Sequence, residues 1–148
     1  MTAEGARVLE VLTGYLMAEI APNVVPGYRQ ASVGTAAAML ASLREEWDRI
    51  AERLVDENTA LRRLFGAAAS ALSDVELRAR LEEAGASEEA SLRVAQLEQT
   101  NDALRALLID LHAHVEESEH PEAARIEREI WSELVASTER RRLPNDPF

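Results

Sequence analysis

The chain of 148 residues has no cysteine and no lysine, and aromatic residues make up only 4% of it. Without cysteine there is no disulfide framework, thiol nucleophile or thiolate metal site. Without lysine there is neither Schiff-base chemistry nor a phosphate-binding loop of the Gly-x-x-x-x-Gly-Lys type. The missing residue types therefore exclude several classes of enzyme before any motif is considered.

Basic charge is also scarce, because sixteen arginines stand against 27 acidic residues and the net charge is −11. This balance disfavours a polyanionic partner, so no nucleic acid is expected to bind. The six glycines are scattered singly, and no Gly-x-Ser-x-Gly motif occurs. Phosphate loops and serine-nucleophile elbows are therefore not indicated. We expect no cofactor, and the residues point away from an enzyme.

Long hydrophobic runs are absent as well. The most apolar stretch, 31–43, is largely alanine and shorter than the roughly 20 residues that a membrane-spanning helix needs. Residues 1–7 lack the basic and apolar regions of a signal peptide. We therefore expect a soluble cytoplasmic protein without a membrane partner, in keeping with the lack of cysteine.

Apolar residues recur at steps of three and four along nearly the whole chain, which predicts an all-α fold. We expect one helical-bundle domain over residues 1–142, with five or six helices of which two regions are long, followed by an irregular tail at 143–148. The first helix should span 3–20 and stop at Pro22. A long helical region should follow from Gln30 to about Leu72.

Several boundaries follow from local signals. The polar residues 56–59 interrupt the second apolar stripe, so either one helix of more than 40 residues carries a polar patch or two helices meet there. Because few globular helices are that long, we expect a break or kink near Asn58. Ser73 fits a capping box that starts a short helix, and Gly85 suits a left-handed position after it. Ser87 is the next candidate N-cap, for a helix over 88–119. Pro121 then suits the start of a last helix, whose inner face carries Ile126, Ile130 and Leu134.

The helix over 88–119 carries the most regular pattern, a heptad seam formed by Val94, Leu97, Asn101, Leu104, Leu108, Leu111 and Val115. A single Asn at an a position among Leu at d positions fixes register in two-stranded coiled coils. The seam therefore suggests a dimer interface through Leu97, Asn101, Leu104, Leu108 and Leu111. The alternative is an ordinary bundle helix, in which Asn101 bonds a neighbouring loop or helix end.

One cluster could bind a metal. All three histidines fall within nine residues, and His112, Glu116 and His120 are spaced by four, which would bring them to one side of a continuous helix. Imidazole and carboxylate ligands suit zinc, iron or manganese. Pro121 disfavours helical geometry at His120, and a solvated acidic helix end is the alternative.

Two tracts of small residues, 34–38 and 66–71, leave nearly flat helix surfaces. Close helix packing is the commoner use of such a surface. An apolar cavity for an acyl chain beneath the tracts is the alternative.

The opening stretch resembles an uncharacterised bacterial all-helical family. The likeness rests on Val8-Leu9-Glu10, Tyr15-Leu16, Glu19-Ile20 and Pro22, followed by the Ala-rich helix from Gln30 to Leu43, and covers about the first third of the chain. Members of that family are encoded near acyl-CoA dehydrogenases and aminoglycoside-phosphotransferase-like proteins. The resemblance implies an accessory role beside such a partner and carries over no catalytic residue.

The sequence as a whole favours a non-enzymatic helical interaction or accessory protein. We expect it to associate through helix faces, as a homodimer or with another protein. The alternative is a metal- or small-ligand-binding bundle, with possible enzymatic activity, that uses His112, Glu116 and His120.

Overall fold

A computed structural model describes residues 5–142, and the predicted tail at 143–148 lies outside these residues. The described chain is all-α, as predicted, with five α-helices and no strand. They are α1 (Gly5–Tyr15), α2 (Gly27–Ala69), α3 (Val75–Ala86), α4 (Val94–Glu116) and α5 (Ala123–Arg141). Within this part of the chain no helix is both long and apolar enough to cross a membrane.

The chain divides into two compact units. Of the described residues, 5–50 and Arg142 belong to the N-terminal unit, and Ala51–Arg141 form the C-terminal unit. The long helix α2 contributes its first half to one unit and its second half to the other. A single bundle domain over 1–142 stays a prediction, and each unit is described below by itself.

The N-terminal unit is a helical hairpin. After α1 the chain passes through a π-helical turn (Leu16–Ile20) and a 3₁₀ turn (Ala21–Asn23) that contains Pro22. It then reverses into α2, where the Gln30 Nε2 donates to the Ala21 carbonyl at 3.0 Å. At the other end the Trp47 indole lies against Gly5, so close that a Cβ there would come within 2.6 Å of the ring. The first helix therefore does not stop abruptly at Pro22. Its α-helical part ends at Tyr15, and the chain continues through the π-helical turn into the 3₁₀ turn that contains Pro22.

The C-terminal unit contains the hydrophobic core. Apolar side chains from the second half of α2 and from α3, α4 and α5 form one buried cluster, centred on Phe65, Leu81, Leu111, Ile126 and Ile130. The predicted inner face of the last helix is confirmed at Ile126 and Ile130, while Leu134 is partly buried against the core. Burial of such side chains is the main force that stabilises a helical unit of this size.

The predicted break near Asn58 is wrong, because α2 is continuous over 43 residues. The polar residues that suggested it, Glu57 and Asn58, are buried and hydrogen-bonded to other elements of the same unit. No proline or glycine lies between Gly34 and Gly66, so the helix backbone has no local reason to stop there.

Three predicted ends around α3 are also corrected. The N-cap is Asp74 and not Ser73, since its side chain accepts from the backbone N–H of Glu76 and Leu77. Gly85 lies inside the last turn of α3 and has no positive φ. Ser87 caps the end of α3, and α4 begins only at Val94.

Candidate functional site

The N-terminal unit leaves most of its apolar side chains uncovered. Its only buried apolar residues among those described are Ala21 and Ala37. Two stripes of exposed large side chains remain, one on α1 and one on α2. We call them together the hairpin surface: Val8, Val11, Leu12 and Tyr15 on α1, and Tyr28, Met39, Leu43 and Trp47 on α2.

The helical spacing explains why these side chains share faces. On α1 the four residues are separated by steps of one, three and four, and on α2 Met39, Leu43 and Trp47 follow at steps of four, with Tyr28 eleven residues before Met39. Steps of three, four and eleven return to the same side of an α-helix. Part of the apolar face of α1 is therefore not covered within the chain, since Val8 and Leu12 are exposed.

Charge is nearly absent from this part of the sequence. Between Val11 and Leu43 the only charged residues are Glu19 and Arg29. Charged residues instead gather at the open end of the hairpin, where Arg44 lies 3.9 Å from Glu10 and 3.0 Å from Glu45. An apolar surface depleted of charge and carrying Met, Tyr and Trp has the composition of the centre of a protein interface.

The predicted heptad seam lies in the core of the C-terminal unit. Leu104, Leu108 and Leu111 belong to the hydrophobic cluster, and Leu97 and Asn101 are also buried, all within one chain. The bundle-helix alternative therefore describes this seam, and the five residues are not available on the surface of the chain as an interface. Leu107, outside the heptad positions, is buried as well, which a broad intramolecular face requires.

Asn101 belongs to a buried polar cluster. Its Nδ2 donates to Asn58 Oδ1 at 2.9 Å and approaches Glu57 Oε2 at 3.4 Å. Asn58 Nδ2 in turn donates to Glu89 Oε1 at 2.9 Å and to the Leu97 carbonyl at 3.3 Å. Because every one of these amides has partners, the cost of burying them is largely offset.

Glu57 is the centre of this cluster and is only 1% exposed. Arg141 holds its carboxylate with two hydrogen bonds, Nε to Oε1 at 2.9 Å and Nη2 to Oε2 at 2.7 Å. Ser137 Oγ donates to Oε1 at 3.3 Å, and Arg105 Nη1 lies 3.7 Å from Oε2. A paired Arg fork of this kind is the strongest arrangement available to a buried carboxylate.

The environment keeps Glu57 ionised. Burial by itself would raise its pKa, but the hydrogen bonds and charge of Arg141, the Ser137 hydroxyl and the charge of Arg53 outweigh burial, so the pKa is lowered. A carboxylate that is covered from solvent and occupied on both oxygens offers neither a proton nor a lone pair to a substrate. Its arrangement suits a structural role that joins α2, α4 and α5.

The same cluster fixes the segment between α3 and α4. Arg62 Nε donates to Ser87 Oγ at 2.9 Å, and its Nη1 donates to Glu89 Oε1 at 2.6 Å. Arg62 and Glu89 are both largely buried, so this ion pair is shielded from water. These contacts hold residues 87–93 against α2, which accounts for the late start of α4.

The predicted metal ligands are not brought together. The His112 Nε2 lies 3.6 Å from Glu116 Oε1, and its ring packs edge-on against Trp131 at 5.5 Å between centroids. His120 lies beyond the end of α4, where its Nδ1 accepts from the backbone N–H of Glu122. Among residues 5–142 no group of three or more His, Cys, Asp or Glu is arranged to hold a metal ion.

The two small-residue tracts differ in what they contact. Gly66 lies where α3 approaches α2 most closely, since a Cβ on Gly85 would come within 3.1 Å of the Gly66 nitrogen. The second tract, 66–71, therefore allows α3 to pack closely on α2. Two grooves, of 690 and 360 Å³, are lined in part by charged residues such as Arg7 and Asp48 in the first and Arg63 and Glu129 in the second. Neither resembles an apolar acyl cavity.

Two features escaped sequence reasoning: the buried Glu57 cluster and the exposure of the hairpin surface. The sequence carried a signal for the first. Asn58 in α2 and Asn101 in α4 are both polar residues on apolar faces, and pairing them would have predicted the contact between the two helices.

Comparison of the chain with protein-family profiles, curated proteins and solved structures finds no match. The candidate sites are therefore judged on their geometry alone.

Proposed function

We propose that the chain is a non-catalytic association protein that binds a protein partner through the hairpin surface. The observation that carries the proposal is the contrast within the N-terminal unit, where two alanines are the only described apolar residues that are buried while ten large apolar side chains are exposed, eight of them on the hairpin surface. Isolated helices of this length are marginal in water and depend on packing of an apolar face. A partner that covers the two stripes would supply that packing.

The energy available from such binding is substantial. Fully covering a large apolar side chain contributes about 1.5–3 kcal/mol. Eight partly exposed side chains therefore offer on the order of 10 kcal/mol, against an association cost of roughly 4–15 kcal/mol. Contacts made by surrounding backbone and small residues would add to the favourable side. At the low end of that cost a surplus of about 6 kcal/mol remains, which corresponds to association at tens of micromolar.

A catalytic role has less support. The carboxylate of Glu57 is buried and paired on both oxygens, and His112, Glu116 and His120 are not assembled among the described residues. Interaction through helix faces remains the proposal that the residues support best, and the accessory role implied by the resemblance of the opening stretch fits it. We keep the cytoplasm as the proposed location, since a chain without cysteine suits a reducing compartment.

The proposal is tested by site-specific photo-cross-linking in cells that produce the full chain. A photoreactive residue replaces Leu12 in one variant, Leu43 in a second and Ile109 in a control, because Ile109 is an exposed apolar residue of the C-terminal unit. Discrete covalent adducts are expected at positions 12 and 43 and not at 109. Absence of adducts at 12 and 43, or equal adducts at 109, would overturn the proposal.

A further inference from the structure

We infer that the partner of the hairpin surface is a second copy of this chain, with the two hairpins paired antiparallel as a four-helix bundle. The inference rests on the proposed function above and names its partner. Two helices cannot enclose an apolar core between them, whereas two hairpins that bring their exposed stripes together can.

Charge favours a second copy over a different protein. Specific partners of a charged protein are selected by complementary charge around the contact. The hairpin surface offers little, because Glu19 and Arg29 are the only charged residues from Val11 to Leu43, and Glu10, Arg44, Glu45 and Glu46 lie near its open end. A second copy brings the same weakly charged surface, so pairing buries little unmatched charge, and homodimer interfaces are the more apolar class.

The area is sufficient for a stable dimer. The eight side chains of the hairpin surface are between 42% and 69% exposed. Each offers on average on the order of 100 Å², since aromatic side chains bury 150–250 Å² in full and the aliphatic ones less. Their sum reaches the roughly 800 Å² per partner of a standard interface.

The order of residues along α2 favours the antiparallel direction. Small residues, Ser32, Thr35 and Ala36, occupy the middle of its exposed stripe, with Tyr28 before them and Met39 after them. Small residues let two helices approach closely, so they suit the crossing point. A crossing centred near Ala36 brings Tyr28 within one residue of the position opposite the partner's Leu43, so that one large side chain lies beside another.

A parallel pairing would be less favourable. It would place the charged segment 44–48 opposite its own copy, with Glu45, Glu46 and Asp48 facing identical acids. In the antiparallel pairing this segment lies opposite residues 24–28 of the partner, which carry no charge. Like charges that face each other directly are destabilising, so the antiparallel direction is selected.

The absence of native cysteine allows a direct test on the purified full chain. Light scattering at tens of micromolar should give twice the 16.3 kDa of one chain. Leu43→Glu should return the mass to that of a monomer, while Ile109→Glu, the matched change at an exposed apolar residue of the C-terminal unit, should not. Circular dichroism of each variant shows whether its helices are retained.

Single cysteines then report the direction. Under mild oxidation Ala36→Cys should form a disulfide-linked dimer in more than half of the chains. Leu43→Cys should form at least tenfold less, because the two copies of this residue would lie about 20 Å apart at 1.5 Å per residue. Linking of Leu43→Cys as efficient as that of Ala36→Cys would overturn the antiparallel pairing.

The two experiments distinguish failure of the proposed dimer from failure of the proposed function. A monomeric mass at every concentration, with adducts still formed in cells at positions 12 and 43, would overturn the second copy and leave association through the hairpin surface standing. A monomeric mass without adducts would overturn both.

Discussion

The two halves of α2 belong to units that treat apolar side chains in opposite ways. In the C-terminal unit the helix buries Leu61, Phe65 and Ala68 in a core shared with α3, α4 and α5. In the N-terminal unit the same helix exposes Met39, Leu43 and Trp47. One continuous helix therefore contributes to a unit with a buried apolar core and to a unit whose large apolar side chains are mostly exposed.

The polar residues show the same contrast. The C-terminal unit buries Glu57, Asn58 and Asn101 and gives each a partner, whereas the N-terminal unit carries almost no charge between Val11 and Leu43. Buried hydrogen-bonded groups fix one arrangement of a core, while an uncharged apolar surface favours association. The difference is the one expected if the C-terminal unit folds around its own core and the N-terminal unit associates as proposed.

The largest expected effect is in the core of the C-terminal unit. Phe65→Ala removes a side chain with no exposed area and should lower the free energy of unfolding by about 4 kcal/mol, through lost burial and the cavity left behind. Each unit has one tryptophan, so urea unfolding of a Trp47→Phe background, followed by Trp131 fluorescence, measures this unit alone. A loss below about 1 kcal/mol would mean that the core closes over the gap.

The next effect concerns Glu57. Glu57→Gln removes the charge that pairs with Arg141 and should cost about 2 kcal/mol near neutral pH, less than the roughly 3–5 kcal/mol of a fully buried pair, because the half-exposed Arg141 can return to water. Urea unfolding followed by Trp131 fluorescence in the Trp47→Phe background also measures this loss. Equal stability of the variant and the parent would show that the ion pair contributes no net stability, and the C-terminal unit would then depend on its apolar core alone.

Glu57 also sets a pH dependence. Its pKa in the folded chain is lowered, so it adds stability above the ordinary glutamate value of about 4.3 and loses that stability as the pH falls toward the lowered value. Glu133 acts in the opposite direction, because burial raises its pKa despite its pairing with Arg140. Between pH 5 and 3 the unfolding free energy of Glu57→Gln should therefore fall less steeply than that of the parent.

A smaller effect separates two glycines in contact. Gly85→Ala places a Cβ within 3.1 Å of the Gly66 backbone, which cannot yield easily, and should cost about 1 kcal/mol. Gly66→Ala meets nothing within 4 Å and should instead stabilise α2 by up to about 1 kcal/mol. Opposite signs in urea unfolding would confirm that α3 packs closely on α2. A stabilising Gly85→Ala would contradict it.

Sequence periodicity predicted the all-α class and the inner face of α5, because apolar spacing records which side of a helix is hydrophobic. Periodicity could not tell whether other parts of the chain cover that hydrophobic side. Leu12 and Leu111 have equivalent positions in their stripes, but only Leu111 is buried against neighbouring helices. The polar residues 56–59 led to the wrong prediction of a helix break for a related reason. A polar side chain on an apolar face signals either a break or a buried partner, and the partner of Asn58 is Asn101, 43 residues away.

The smallest expected effect on folding is at the hairpin surface, and it tests the comparison most directly. Met39 is 66% exposed, so Met39→Ala should change the free energy of unfolding by less than about 0.5 kcal/mol in dilute solution. A Trp131→Phe background, in which Trp47 alone fluoresces, reports on the N-terminal unit. Met39→Ala should also weaken self-association several-fold in light scattering, because Met39 would be covered only in the dimer.

A loss of more than about 1 kcal/mol of unfolding free energy in the dilute Met39→Ala monomer would show that Met39 packs within its own chain. The two units would then no longer differ in how they treat the apolar side chains of α2.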